Sequence, residues 1–266
     1  EILHRTKLTD KKRLYEIIAQ LKSRLQMHLT SSGHSAAAMR AMAGFSASAR
    51  LNDRMNGIAF YQMMEDLERN FEERSDDLIH KLSQVMQYIL RPECLTVSCT
   101  SGTEGIEAVK REIPALKKAL YTDPLPESAK TEEEKLQVLK EGIMTPSAVQ
   151  YVARAGHISA YTGAYRILKV ILSYDYLWQN IRVKGGAYGC MSNFNRIGEG
   201  YFVSYRDPNL SRTVEVYEGV VDYLENFTVS ERDMTKYIIG TMSNIDQPMT
   251  PAIKGERSMN LYMNKV

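Results

Sequence analysis

Apolar residues recur at helical spacing through the first 120 positions. Past a charged, proline-bearing stretch they give way to short strand runs set between helices. Between Thr9 and Thr30 the stripe is Leu14, Ile17, Ile18, Leu21, Leu25 and Leu29, with Lys and Arg opposite, which predicts an amphipathic helix capped by Thr9 or Asp10. Ser32–Arg50, rich in Ala, Met and Ser, predicts a helix that packs closely on a neighbour. Gly57–Asn70 and Ser75–Leu90 read as helices too. The second of them lines up Leu78, Leu82, Val85, Met86 and Ile89 and is followed by Pro92. Leu95–Thr100 is β-prone and closes at Ser101-Gly102, and Glu104–Leu120 predicts a helix broken near Pro114.

Asp123-Pro-Leu-Pro and the charged run Lys130–Lys140 mark the expected linker, giving a first part at residues 1–122, a linker at 123–141 and a second part at 142–266. In the second part Ala148–Ala155 reads as a strand and Ala164–Gln179 as a long aromatic-rich helix. Gly186–Asn195 and Gly200–Arg206 read as a strand pair, and Asp207-Pro208-Asn209 as a turn. Ser211–Asn226 is amphipathic through Val214, Tyr217, Val220, Val221 and Leu224. Ser230-Glu-Arg-Asp233 has the pattern of a capping box for a last helix through Ile238, Ile239 and Met242. Strands separated by long helices argue for α+β or α/β layers rather than a bundle.

Composition narrows the function classes only a little. Lys plus Arg (34) against Asp plus Glu (32) leaves +2 spread along the chain, so no basic footprint points to nucleic acid. No apolar run approaches the ~18 residues of a membrane span, and no basic-then-apolar secretion signal is present. Three cysteines cannot pair fully, and a strand would aim Cys94 and Cys99 at opposite faces, so a reducing compartment is the economical reading. The chain starts at Glu1, without Met, in a segment that leads straight to a helix, and is expected to be a piece of something longer.

The usual equipment for bond cleavage is missing. None of the five histidines pairs with another at i, i+4 around a Glu, and Cys94, Cys99 and Cys190 show no C-x-x-C spacing. No nucleophile elbow, P-loop or dinucleotide fingerprint occurs. His28 and His34 flank a helix-to-helix corner, either as corner and surface histidines or as joint metal ligands. The fourteen Met and sixteen Tyr fit core filling and layer edges, or an adaptable surface for unfolded peptide. The dense segment is Ile181-Arg-Val-Lys-Gly-Gly-Ala-Tyr-Gly-Cys190, where Gly185 and Gly186 permit backbone shapes closed to other residues. Two readings stand for it. It is a tight turn into a strand, with Arg182 solvated and Tyr188 half-buried, or a loop that brings guanidinium and phenol together to grip carbonyl oxygens.

Arg182-Val-Lys-Gly-Gly-Ala-Tyr188-Gly, followed by Tyr201-Phe-Val-Ser-Tyr-Arg-Asp-Pro-Asn209, resembles the last domain of the presequence protease and falcilysin branch of the pitrilysin/insulinase zinc peptidases. Asp246-Gln-Pro-Met-Thr-Pro251 with Lys254-Gly255 resembles the segment that follows there. Ser35–Arg50 and Gly57–Leu90 are similar to the later part of the third domain. The resemblance implies an α+β fold of two partial pitrilysin-type domains, each with helices layered on a mainly antiparallel sheet. Residues 1–122 would belong to the third domain and 142–266 to a truncated fourth. It further implies a closed chamber, with zinc and a catalytic Glu on an inverted His-x-x-Glu-His helix in a first domain that this sequence lacks.

By that resemblance the chain is the non-catalytic C-terminal part of a zinc metalloendopeptidase that degrades unstructured peptides, inactive by itself, with its zinc ligands outside this sequence. Arg182 and Tyr188 are the residues that reach the scissile peptide, Gly185 and Gly186 form the loop supporting them, and no metal ligand is assigned here. The implied partners are peptide substrates and the N-terminal catalytic half, with neither nucleic acid nor membrane. The compartment is cytoplasmic for a bacterial protein and an organelle matrix for a eukaryotic one. A binding or assembly module with the peptidase fold is the alternative, and the presence of both Arg182 and Tyr188 favours the peptidase. A self-sufficient enzyme has the least support, because no titratable cluster of known spacing is visible.

Overall fold

The computed structural model describes residues 6–125 and 135–265, and these form two compact units. The first falls within Glu1–Glu16, Asn70–Glu132 and Gln247–Val266, the second within Ile17–Arg69 and Glu133–Asp246. Residues 126–134 of the expected linker lie outside the described residues, as does His4.

Helices α1 (Lys11–Ser31), α2 (Gly33–Met42), α3 (Ala47–Asn56), α4 (Ile58–Arg69) and α5 (Phe71–Ile89) follow the apolar stripes read from the sequence. Asp10 caps α1, its carboxylate accepting the Arg13 amide at 3.0 Å. In the first unit Tyr15 meets Phe71 edge-on at 5.2 Å, and the Arg91 guanidinium donates to the Asp123 carbonyl at 2.6 Å. Two expectations fail there. Leu95–Thr100 forms no strand: the segment is largely exposed and no neighbouring strand among the described residues takes up its backbone groups. Helix α6 (Thr103–Lys118) runs straight through Pro114. It buries none of its residues, so the carbonyl that Pro114 leaves unpaired faces solvent instead of breaking the helix.

The second unit carries the sheet. Strands β1 (Ala153–His157), β2 (Gly189–Phe194) and β3 (Glu199–Tyr205) are antiparallel in the order β1-β3-β2. The α+β class is therefore as expected, with β1 displaced toward His157 from the reading of Ala148–Ala155. The expected long helix over 164–179 divides into α7 (Ala164–Tyr174) and a separate turn, and the amphipathic run 211–226 divides at Gly219 into α8 (Ser211–Glu218) and α9 (Val220–Glu225). Alternation along the strands gives the sheet two covered faces. Met191, Tyr201 and Val203 face α2, while Ser192 bonds to Ser173 of α7 and Phe202 stacks on Tyr217 at 5.5 Å. The core joins Val152, Leu172, Leu177, Ile181, Ala187, Cys190, Tyr217 and Val220. Helix α10 (Glu231–Ile245) packs on α7 and begins with the expected cap, Ser230 Oγ accepting the Asp233 amide at 3.1 Å. Helix α11 (Pro251–Met263) belongs to the first unit. No helix among the described residues is long and apolar enough to cross a membrane.

Candidate functional site

The segment after α7 is wound wider than an α-helix. Trp178–Val183 forms a π-helical turn, and the Lys184 amide reaches back five residues to the Gln179 carbonyl at 3.0 Å. Ile181 anchors this turn in the core at 1% exposure, which leaves Arg182 and Val183 facing solvent. The Arg182 guanidinium lies over the Trp178 ring, 4.0 Å from its centroid. A guanidinium stacked this way keeps its in-plane N–H groups free to donate.

The two glycines then turn the chain into the sheet. At Gly185 an added Cβ would sit 2.4 Å from the Ile181 carbonyl oxygen, so no side chain fits there. Gly186 has φ +81, a left-handed conformation that favours glycine. The Asn209 side-chain amide donates to the Gly185 carbonyl at 2.6 Å and ties the turn to the loop after β3. Tyr188 emerges on the far side, its amide shared between the carbonyls of Tyr205 (3.0 Å) and Arg206 (3.3 Å). Its side chain is 68% exposed, not half-buried as the turn reading expected.

The loop after β3 contains a bulge. Ala153 pairs with Val203, and Gln150 with Asp207, so two residues on one strand oppose three on the other. Arg206 takes the left-handed conformation at φ 49 within that bulge. Asp207 beside it is fully buried: its carboxylate accepts the Asn209 amide at 2.8 Å and the Thr213 hydroxyl at 2.7 Å. Its backbone exchanges two bonds with Gln150, each 2.9 Å.

The structure thus presents Arg182 and Tyr188 as exposed donors at the two ends of one rigidly tied glycine turn, with Gly185 and Gly186 between them. Each has its own aromatic or cationic neighbour, Trp178 for Arg182 and Arg206 for Tyr188. Sequence reasoning assigned no role to Trp178, Arg206, Asp207 or Asn209. The lone Trp four residues before Arg182 and the Asp-Pro-Asn turn were the available signals. Among the described residues no three His, Cys, Asp or Glu side chains converge to hold a metal ion. His28 is exposed, and His34 stands edge-on to Tyr205 at 4.9 Å. Burial, and then the charge of His28, hold the His34 imidazole below the ordinary histidine range.

Beneath the turn, burial pushes the Cys190 thiol up to about 11, while the Arg182 charge pulls it down and Asp207 pushes it up. The raised value favours the neutral thiol in the fold, so this contribution to stability is fully present below the ordinary pKa of 9.0 and is lost as pH rises toward about 11. At pH 8 Cys190 is expected to resist alkylation until the protein is denatured, whereas the exposed Cys94 and Cys99 react in the native state. Mass spectrometry of the labelled peptides checks this, and equal native labelling of all three would contradict the buried thiol.

Comparison with known proteins agrees with this geometry. A family model described as PreP C-terminal domain matches residues 140–266, and a second, for a peptidase-associated region, matches residues 1–67. Protein HypA of Clostridium perfringens is 35% identical, over 99% of this chain and 27% of its own length. Presequence protease 1, chloroplastic/mitochondrial, of Arabidopsis thaliana is 29% identical over 97% of this chain and 24% of its own length. The mitochondrial presequence protease of Yarrowia lipolytica is 28% identical over 99% of this chain and 27% of its own length. The chain spans about a quarter of the length of these relatives. Both ends of the sequence match models of one peptidase group, and relatives align along nearly all of it; the chain belongs to the presequence-protease family of peptidases.

Proposed function

We propose that this chain is the non-catalytic C-terminal part of a metallopeptidase that degrades unstructured peptides, and that Arg182 and Tyr188 donate to the oxygen of the scissile carbonyl. The observation that carries the reading is the tied glycine turn with a stacked guanidinium at one end and an exposed phenol at the other. Donors held in place before the reaction stabilise developing negative charge without reorganising, which is where such groups contribute most. The chain's own part is to bind and orient peptide. The described residues hold no ligand set that fits the zinc implied by the resemblance, so the proposal assigns the metal and the proton-transfer groups to the N-terminal catalytic half.

Placing the two donors on a separate half makes closure of the halves around the peptide a condition for cleavage. The division into third-domain and fourth-domain parts, with a linker at 123–141, belongs to the same proposal, and the two family matches at 1–67 and 140–266 lie on either side of most of that linker. The compartment follows the source: cytoplasmic in a bacterium, an organelle matrix in a eukaryote, in keeping with the chloroplastic and mitochondrial names of the plant and yeast relatives.

A fluorogenic-peptide assay with zinc, run on this chain alone and on its mixture with the separately expressed N-terminal half, tests the reading. The expected result is silence alone and cleavage on mixing, lost again with Arg182→Ala. Cleavage by this chain alone overturns the proposal, and a mixture indifferent to Arg182→Ala removes the donor role. Silence of the mixture, with the two halves shown to bind each other, favours the assembly-module alternative.

A further inference from the structure

Tyr188 projects from the turn with little to hold it. Among the described residues its phenol hydrogen-bonds to no side chain and no other aromatic ring stacks on it. What faces its ring is the Arg206 guanidinium, 5.8 Å from the centroid. The same guanidinium lies 5.6 Å from the centroid of Tyr205, whose ring is tied in turn to His34 and Tyr151 at 4.9 and 5.8 Å. Arg206 therefore links the free tyrosine ring to a packed aromatic cluster.

The backbone makes a second link to the same tyrosine. Arg206 is the left-handed residue of the bulge, at φ 49, a conformation that glycine adopts freely and arginine resists. Its carbonyl shares the Tyr188 amide with that of Tyr205. Asp207, buried and bonded to Asn209, Thr213 and Gln150, locks the residue that follows. Bulges re-aim side chains beside functional sites, and a non-glycine residue kept at positive φ points to a role for its side chain. Arg206 is exposed and pairs with no carboxylate among the described residues, so its charge is not committed to an ion pair that would explain it.

We infer that Arg206 is the positioning residue for Tyr188, holding the phenol in the orientation from which it donates. This rests on the donor reading proposed above. It assigns Arg206 no contact with the reacting atoms.

The test is steady-state cleavage of a defined peptide by the complete enzyme, with Arg206→Gly, Arg206→Asn and Arg206→Lys, each also combined with Tyr188→Phe. Gly and Asn both accept the left-handed backbone and keep the bulge, so agreement between them isolates the side chain. Each is expected to lower kcat about 2–5-fold with KM unchanged, the size that exposed cation–ring contacts reach. Arg206→Lys is expected to recover part of the loss. In the Tyr188→Phe background the same substitutions are expected to have no further effect on kcat, because the hydroxyl they orient is gone. An equal loss in both backgrounds overturns the inference, as does a loss confined to KM. Full kcat in Arg206→Gly and Arg206→Asn, while Tyr188→Phe is slow, overturns it alone. A silent Tyr188→Phe instead removes the donor reading, and this inference with it.

Discussion

Tyr188→Phe in the complete polypeptide is expected to lower kcat for peptide cleavage by about 10²–10³, with KM nearly unchanged. The substitution removes one O–H donor and little else. Phe keeps the ring on which the Arg206 guanidinium rests, and the Tyr188 amide remains bonded to the Tyr205 and Arg206 carbonyls. The side chain is 68% exposed and packs into no core, so the fold has no reason to respond. A donor that acts chiefly on the developing oxyanion lowers kcat and kcat/KM together, whereas a contact made equally in the ground state raises KM alone. A kcat within about twofold of the parent would show that the phenol does not serve the transition state.

Asp207→Ala is expected to loosen the whole site by about 3–5 kcal/mol, because it deletes two hydrogen bonds to a charged, fully buried acceptor. The Thr213 hydroxyl and the Asn209 amide lose their partner, and Asn209 in turn holds the Gly185 carbonyl. Asp207→Asn keeps an oxygen for the Asn209 amide, and the Thr213 hydroxyl can rotate to accept from the new NH₂, so about 1 kcal/mol is expected there. Amide hydrogen exchange of the complete protein reads this locally. The Gln150 and Tyr188 amides, bonded across the bulge, are expected to exchange about 10²-fold or more faster in Asp207→Ala and only several-fold faster in Asp207→Asn. Unchanged protection in the alanine variant would mean that the loop is held by something other than this carboxylate.

Features specified by near neighbours were legible in the sequence. The Leu14–Leu29 stripe became α1, Ser230 caps α10 as its spacing implied, and the strand pair around Asn195–Gly200 formed as a hairpin. Arg182, Gly185, Gly186 and Tyr188 stood out because glycine pairs and flanking polar residues are themselves local signals. What escaped was set by distant partners. Leu95–Thr100 has the composition of a strand, but a strand exists only where another one accepts its ladder. The bulge at Arg206 depends on a one-residue offset between β1 and the end of β3, and no window of sequence contains both. Asp207 reads as an ordinary turn former, and only its burial beside Thr213 reveals it as the pin of the loop.

The π-helical turn at Trp178–Val183 also bears on how such a site can be lost in descent. An α-helix advances 100° per residue, and one surplus residue within a turn is enough to produce the wider winding. Deleting one codon between Trp178 and Val183 would let the segment close as an α-helix with its backbone bonds satisfied, while swinging Arg182 about 100° off the Trp178 face. A lineage can therefore discard the guanidinium in a single step and keep a folded domain. In a related gene, the length of this short segment says more about whether the grip survives than the mere presence of an arginine does.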